Sequence, residues 1–252
     1  MIQNHLLQVL CLIAMEPPIS LDERDFRDRK LDVLRSVRPM TPGEAASRTR
    51  RARYTAGKLA PSGGADRRTV PDYAEEDGVD PERGTETFAE VVLELGSWRW
   101  AGTRFLLRAG KALARRRKEA VVRFRPVPHL PFGDGEAEPA ANELRIGLDG
   151  PYDLVLSLTG MASGPPPRLA PLVLDADLSA PDLPAYGGVL MDVLDGDTAL
   201  SIRGDEAEEA WRVLTPVLEA WADGRAPLEE YQAGSDGPSP APGAASDSAR
   251  GG

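Results

Sequence analysis

The stretch Thr85-Glu86-Thr87-Phe88-Ala89-Glu90-Val91-Val92-Leu93-Glu94-Leu95 decides the fold class. Thr87, Ala89, Val91, Leu93 and Leu95 alternate with Glu86, Phe88, Glu90, Val92 and Glu94. A period of two predicts a strand with one buried and one mixed face. Upstream the period is helical. Leu6, Leu7, Leu10, Ile13 and Ala14 sit at helical spacing over 1–15, and most other positions there are apolar too. This predicts a helix covered on more than one side, ended by Pro17 and Pro18. Ser20 and Glu23 have capping-box spacing and predict a second helix from about residue 20. Phe26, Val33, Leu34 and Val37 would line its inner face, and Pro39 would close it.

Downstream, further strands are expected at 105–108, 121–124, 144–148, 152–158, 172–175 and 198–202, separated by Gly and Pro clusters. Asp205 and Glu208 repeat the capping spacing and start a helix carrying Trp211, Leu214 and Leu218. Helices, then many strands, then a helix predict an α+β fold: a large, mostly antiparallel sheet with helices packed on one face. A doubly wound nucleotide fold is disfavoured, because no G-x-G-x-x-G follows a strand. Gly110-Lys111 looks like half of a P-loop, but the upstream glycine is wrongly spaced and Ala112 stands where Ser or Thr is needed.

Two segments read as irregular. Residues 40–84 carry a basic block (Arg48, Arg50, Arg51, Arg53, Arg67, Arg68) and then an acidic one (Asp72, Glu75, Glu76, Asp77, Asp80, Glu82). The expectation is a flexible, solvated loop whose blocks pair with each other, an anion site being the alternative. Residues 233–252 contain only Ala, Gly, Ser, Pro, Asp and one Arg, which predicts a disordered tail after a domain spanning 1–232.

Composition narrows the function. The chain has 252 residues, 41% of them apolar and 28% charged, which is enough to bury a core without disulfides or metals. Thirty Lys and Arg against 40 Asp and Glu give a net charge of −10, a poor match to nucleic acid or an anionic membrane. One cysteine, Cys11, and two histidines, His5 and His129, exclude a disulfide framework and a Cys- or His-rich metal centre. The apolar run 6–15 is too short to span a bilayer. No Lys or Arg precedes it, so a secretory leader is not expected and a cytoplasmic location is.

Three clusters can carry chemistry. Gln3-Asn4-His5 opens the first helix; His5 could serve as a general base, or simply as a surface or capping residue. Arg108-Ala109-Gly110-Lys111 leads to Arg115, Arg116, Arg117 and Lys118, either a phosphate site or a solvated basic turn. Ser97-Trp98-Arg99-Trp100-Ala101-Gly102 reads as a packed hairpin corner rather than a stacking platform.

These clusters occur together, in order, in one family. Gln3-Asn4-His5-Leu6-Leu7-Gln8, Ala14-Met15-Glu16-Pro17-Pro18, Trp98-Arg99-Trp100-Ala101-Gly102, Leu107-Arg108-Ala109-Gly110-Lys111-Ala112-Leu113, Val127-Pro128-His129 and Glu209-Ala210-Trp211-Arg212 resemble the carboxy-terminal domain of glucose-6-phosphate dehydrogenase. The resemblance implies oxidation of glucose 6-phosphate at carbon 1 with NADP, in the oxidative pentose phosphate pathway. It implies that His5 is the proton acceptor and that Lys111 and Arg116 hold the substrate. Arg108 and Arg117 match positions that touch a structural NADP in some members. It further implies a sheet that makes a dimer face, hence a homo-oligomer or pairing with an intact dehydrogenase subunit.

The departures shape the expectation. The family's amino-terminal Rossmann NADP-binding domain and its D-H-Y-L-G-K segment have no counterpart in these 252 residues. Asp149 stands where a substrate-binding glutamine is usual, Gly147 replaces an arginine, and Gly187-Gly188 replaces a Glu-Arg pair on a helix, weakening it by about 1 kcal/mol per glycine. This chain alone is therefore expected not to turn over glucose 6-phosphate. The alternative role is a non-catalytic dimerisation or regulatory partner of an intact dehydrogenase.

Overall fold

The computed structural model describes residues 1–60, 68–126, 141–150, 152–164 and 168–239. It divides into two compact units, Met1–Arg115 with Leu190–Gly252, and Arg116–Val189. In the first unit a π-helical turn, Ile2–Leu6, runs into α1 (Leu7–Ala14), followed by α2 (Glu23–Ser36) and α3 (Pro42–Arg48). Then come β1 (Thr49–Thr55), β2 (Gly57–Leu59), β3 (Arg68–Val70), β4 (Phe88–Glu94) and β5 (Arg104–Gly110). The second unit holds β6 (Glu119–Arg123), β7 (Glu143–Gly147), β8 (Asp153–Ala162) and β9 (Arg168–Asp177). α4 (Ala185–Asp195) crosses the division, and α5 (Gly204–Ala222) and β10 (Leu228–Gln232) return the chain to the first unit.

The class is α+β, with the strands shared among two four-stranded sheets and a β2–β3 ribbon. The first sheet runs β10-β1-β4-β5, antiparallel except for the parallel β1–β10 pair. The second, β6-β7-β8-β9, is antiparallel throughout. β4 has the expected alternation: Val91 and Leu93 enter the core shared with α1, α2 and α5. Phe88, on the opposite face, enters a second core with Ala52, Tyr54, Val70 and Tyr231. α4 forms despite Gly187 and Gly188.

Several expectations need correction. The first helix is covered on one side only. Leu7, Leu10, Cys11 and Ala14 form the buried stripe, at steps of three and four, while Leu12 and Ile13 lie off it and are exposed. α2 starts at Glu23, not near Ser20; Asp22 is already extended, and Ser20 accepts its amide and donates to Asp25. The segment 40–84 is not one loose loop. Thr41 and Glu44 form a full capping box with Pro42 at the first position, which nucleates α3.

Arg50, Arg51 and Arg53 of the basic block lie on β1, where Arg50 and Arg51 find partners on the α5–β10 side of the strand. Arg50 forks onto Glu229 at 2.9 and 2.6 Å, and Arg51 donates to the Ala226 carbonyl and lies over the Trp221 ring. Arg48 pairs with Glu44 and Glu94, so these carboxylates come from outside the acidic block. Residues 198–202 form a turn rather than a strand, since the Asp197 side chain takes the Ala199 amide and Ser201 bonds back to Thr198. In α5 the inner face is Ala210, Val213, Leu214, Val217 and Trp221, leaving Trp211 and Leu218 exposed. The tail packs through 233–239, and Ala233 is buried; residues 240–252 lie outside the described part.

Two buried charges join α2 to α5. Lys30 Nζ lies 3.0 Å from Glu206 Oε2, with side-chain exposures of 2% and 0%. Beyond this ion pair, neither head group has a hydrogen-bond partner among the described residues. Nearby, burial pushes the Cys11 thiol up to about 12, so it behaves as a small apolar group. Lys30→Met strands a buried carboxylate and should cost about 3–5 kcal/mol in urea unfolding. The double variant K30M/E206L should return to within about 1 kcal/mol of the parent or exceed it.

Candidate functional site

β5 delivers the basic segment. Its residues Phe105, Leu107 and Ala109 face the helix-covered core, and Arg104, Leu106 and Arg108 alternate with them outward. Arg108 stands opposite Glu90 in the β4–β5 register and pairs with it at 2.7 Å. Gly110 closes the ladder opposite Phe88; a Cβ there would meet Phe88 and Leu113 side-chain atoms at 2.9 and 2.8 Å, so any larger residue forces those side chains to shift. The Lys111 amide adds one more bond, to the Thr87 carbonyl at 2.9 Å. Ala112 then turns the chain with φ 50. The Lys111 side chain is exposed, and its ammonium meets no acidic partner among the described residues.

His5 sits on the π-helical turn. Its amide bonds to the Met1 carbonyl at 2.9 Å, and its imidazole is exposed. The turn is anchored by buried Ile2 and by Leu6, which packs on the same core as Phe105 and Leu107. It packs against β5 and α5. The structure thus brings the His5 turn to the flank of the strand whose end carries Lys111.

Arg116, Arg117 and Lys118 open the second unit. The Lys118 carbonyl accepts from Leu148, extending the β6–β7 ladder. Asp149 lies 2.5 Å from Lys118 Nζ and 3.5 Å from Arg116. The Lys118 ammonium, and then Arg116, hold the Asp149 carboxyl below the ordinary carboxylate range. Arg117 pairs with Glu119 at 3.5 Å. Lys111 belongs to the first unit, and Arg116 and Arg117 to the second.

The tryptophan corner connects β4 to β5. Trp100 packs edge-on against Phe105 at 5.2 Å and donates to the Ala14 carbonyl, and Arg99 forks onto Glu16. Trp98 departs from the packed reading and is fully exposed. His129 lies outside the described residues. Sequence reasoning missed Tyr231 and Thr87, two buried hydroxyls behind the Lys111 turn. A tyrosine among glutamates in 229–231 gave no signal of a buried strand.

A nicotinamide dinucleotide is the cofactor the resemblance implies, and the described residues do not fit it. Gly110 leads into an irregular turn and not into a helix start whose amides could converge on phosphate. Arg108 and Arg117 are half-exposed and pair with Glu90 and Glu119. Among the described residues no group of three His, Cys, Asp or Glu side chains could hold a metal, and no helix is long and apolar enough to cross a membrane.

The sequence model of the glucose-6-phosphate dehydrogenase carboxy-terminal domain matches residues 1–250. The chain belongs to this family. It is 41% identical to glucose-6-phosphate 1-dehydrogenase of Mycolicibacterium smegmatis, over 94% of this chain and 48% of the relative. The Gluconobacter oxydans enzyme is 42% identical over 94% and 47%. The crystal structure of the Mycobacterium avium dehydrogenase superposes with a TM-score of 0.75 at 32% identity, covering 94% of this chain and 46% of that one. A glucose-6-phosphate dehydrogenase in complex with its substrate glucose 6-phosphate also gives 0.75, at 28% identity and with 94% and 47% covered. The chain therefore spans about half the length of the curated relatives it matches.

The Asp149 arrangement is checked by following its carboxyl by NMR. In the parent protein the titration midpoint should lie below the ordinary value of 3.8, and Lys118→Ala should move it upward more than Arg116→Ala does. The paired form contributes stability above the unfolded midpoint, and this is lost as pH falls through the folded one.

Proposed function

We propose that this chain is the substrate-binding and oligomerisation half of a glucose-6-phosphate 1-dehydrogenase. The observation that carries the reading is the Gly110-Lys111 turn, held by β4 and β5, presenting an ammonium with no acidic partner among the described residues at the end of the strand flanked by the His5 turn. An ammonium on a fixed turn suits a phosphate monoester. His5, exposed and close to the reacting end of a sugar so held, accepts the C1 hydroxyl proton as the carbonyl of the lactone forms. Arg116, in the second unit, keeps only its motif-based assignment as a substrate residue, and within that unit it pairs with Asp149.

For the whole enzyme the reaction is oxidation of glucose 6-phosphate to 6-phosphogluconolactone with NADP, in the cytoplasm. The residues described here do not form the NADP site, so no hydride step is assigned to them. Self-association is supported by the second sheet, where Met161, Leu172, Val173 and Leu174 are exposed. A second reading, a non-catalytic partner of an intact dehydrogenase, is favoured by one feature: Asp149 already occupies Arg116 and Lys118.

Calorimetry should find that the purified chain binds glucose 6-phosphate and that Lys111→Ala weakens binding by tenfold or more, since a charge-assisted contact contributes about 1.5–3 kcal/mol. The chain alone should reduce no NADP, because positioning accounts for roughly 7–11 kcal/mol of such barriers. Equal affinity of Lys111→Ala and parent, or NADP reduction by the chain that His5→Asn abolishes, would contradict this reading.

A further inference from the structure

β10 carries Tyr231, whose ring is buried between Tyr54 at 6.3 Å and Phe88 at 5.8 Å, both edge-on. Its hydroxyl lies 2.7 Å from the Lys111 carbonyl and 3.0 Å from the Thr87 hydroxyl. A carbonyl cannot donate, and the Thr87 carbonyl is farther from the phenol at 3.4 Å, so the phenol proton goes to Lys111. The Thr87 hydroxyl then donates to Tyr231, and its own oxygen accepts the Tyr54 amide at 3.0 Å. The result is a directed chain from β1 through Thr87 and Tyr231 to the backbone of the Lys111 turn. Burial raises the phenol above its ordinary value, so it stays a donor at working pH.

The residues after Tyr231 continue the same job. The Ala233 amide bonds to Thr55 on β1 at 3.0 Å. The Gly234 amide donates to the Ala112 carbonyl at 2.8 Å, and the Ser235 carbonyl accepts the Ala114 amide at 2.8 Å. Gly234, at φ +88, passes so near Lys58 that a Cβ would lie 2.1 Å from its carbonyl oxygen. Gly237 lies against Phe88 and Leu113. Residues 111, 112 and 114 are thus each held by one continuous segment.

We propose that Tyr231 and the segment 233–237 form a positioning strap that fixes the backbone of the Lys111 turn and so aims its ammonium at the substrate phosphate. The aim at phosphate rests on the reading of Lys111 given above; the strap itself rests on the hydrogen bonds. Tyr231 is a positioning residue, since it is buried and its hydroxyl bonds to the backbone of the Lys111 turn.

The test is Tyr231→Phe, which keeps the ring and removes the hydroxyl. Amide hydrogen exchange should show about tenfold lower protection at Lys111 and Ala114, with the β1–β4 amides within twofold of the parent. Glucose 6-phosphate affinity should fall about three- to tenfold, and adding Tyr231→Phe to Lys111→Ala should weaken binding no further, as expected for coupled residues. Unchanged protection at 111 and 114 would overturn the strap. So would an affinity loss that persists undiminished in the Lys111→Ala background. If the parent chain binds no glucose 6-phosphate, the substrate reading fails, and the exchange measurement still decides the strap.

Discussion

β4 is paired on both edges and covered on both faces. Its neighbours are β1 and β5, its one face carries Val91 and Leu93 into the helix-covered core, and its other carries Phe88 into the Tyr54–Tyr231 core. A slip of one residue would exchange these faces, sending Val92 and Glu90 into the helix core. The register is therefore locked from both sides at once. With it are locked the Glu90–Arg108 pair, the Phe88–Gly110 closure and the Thr87 bond to Lys111, which together set where β5 stops and where the basic turn begins.

Three distant parts of the chain converge on that frame. The amino-terminal turn brings His5 to the flank of β5, β5 itself brings Lys111, and the segment after β10 ties the turn that follows. The contrast between their surroundings is chemical. His5 and Lys111 are exposed with no acidic partner among the described residues, whereas Arg50, Arg99, Arg108 and Arg117 are each taken up by a carboxylate. Cations already neutralised hold the fold; an unneutralised one on a rigid turn is available to a ligand.

Legibility in the sequence followed the local strength of the pattern. β4, β5 and β6–β9 were readable because apolar residues alternate along them with turn residues between. β1 was not, because Thr-Arg-Arg-Ala-Arg-Tyr-Thr looks like a solvated basic run; only the partners Glu229, Ala226 and Trp221, some 175 residues away, make it a central strand. Likewise nothing in the local sequence marks Lys30 and Glu206 as buried partners; they meet only where α2 packs on α5. Composition misled over 233–239 only, where Gly234 and Gly237 mark close approach to neighbouring chain. For the site, His5, Lys111 and Arg116 were marked by motif, while Tyr231 and Thr87 were invisible because their role is a hydrogen bond to backbone, which leaves no residue pattern.

The central claim is that His5 and Lys111 serve one substrate. It is tested most directly by an NMR titration of the intact chain with glucose 6-phosphate, following the His5 imidazole and the Lys111 side chain together. Both sets of resonances should shift along one binding curve and share a single dissociation constant. Shifts at one residue alone, or two different dissociation constants, would contradict it.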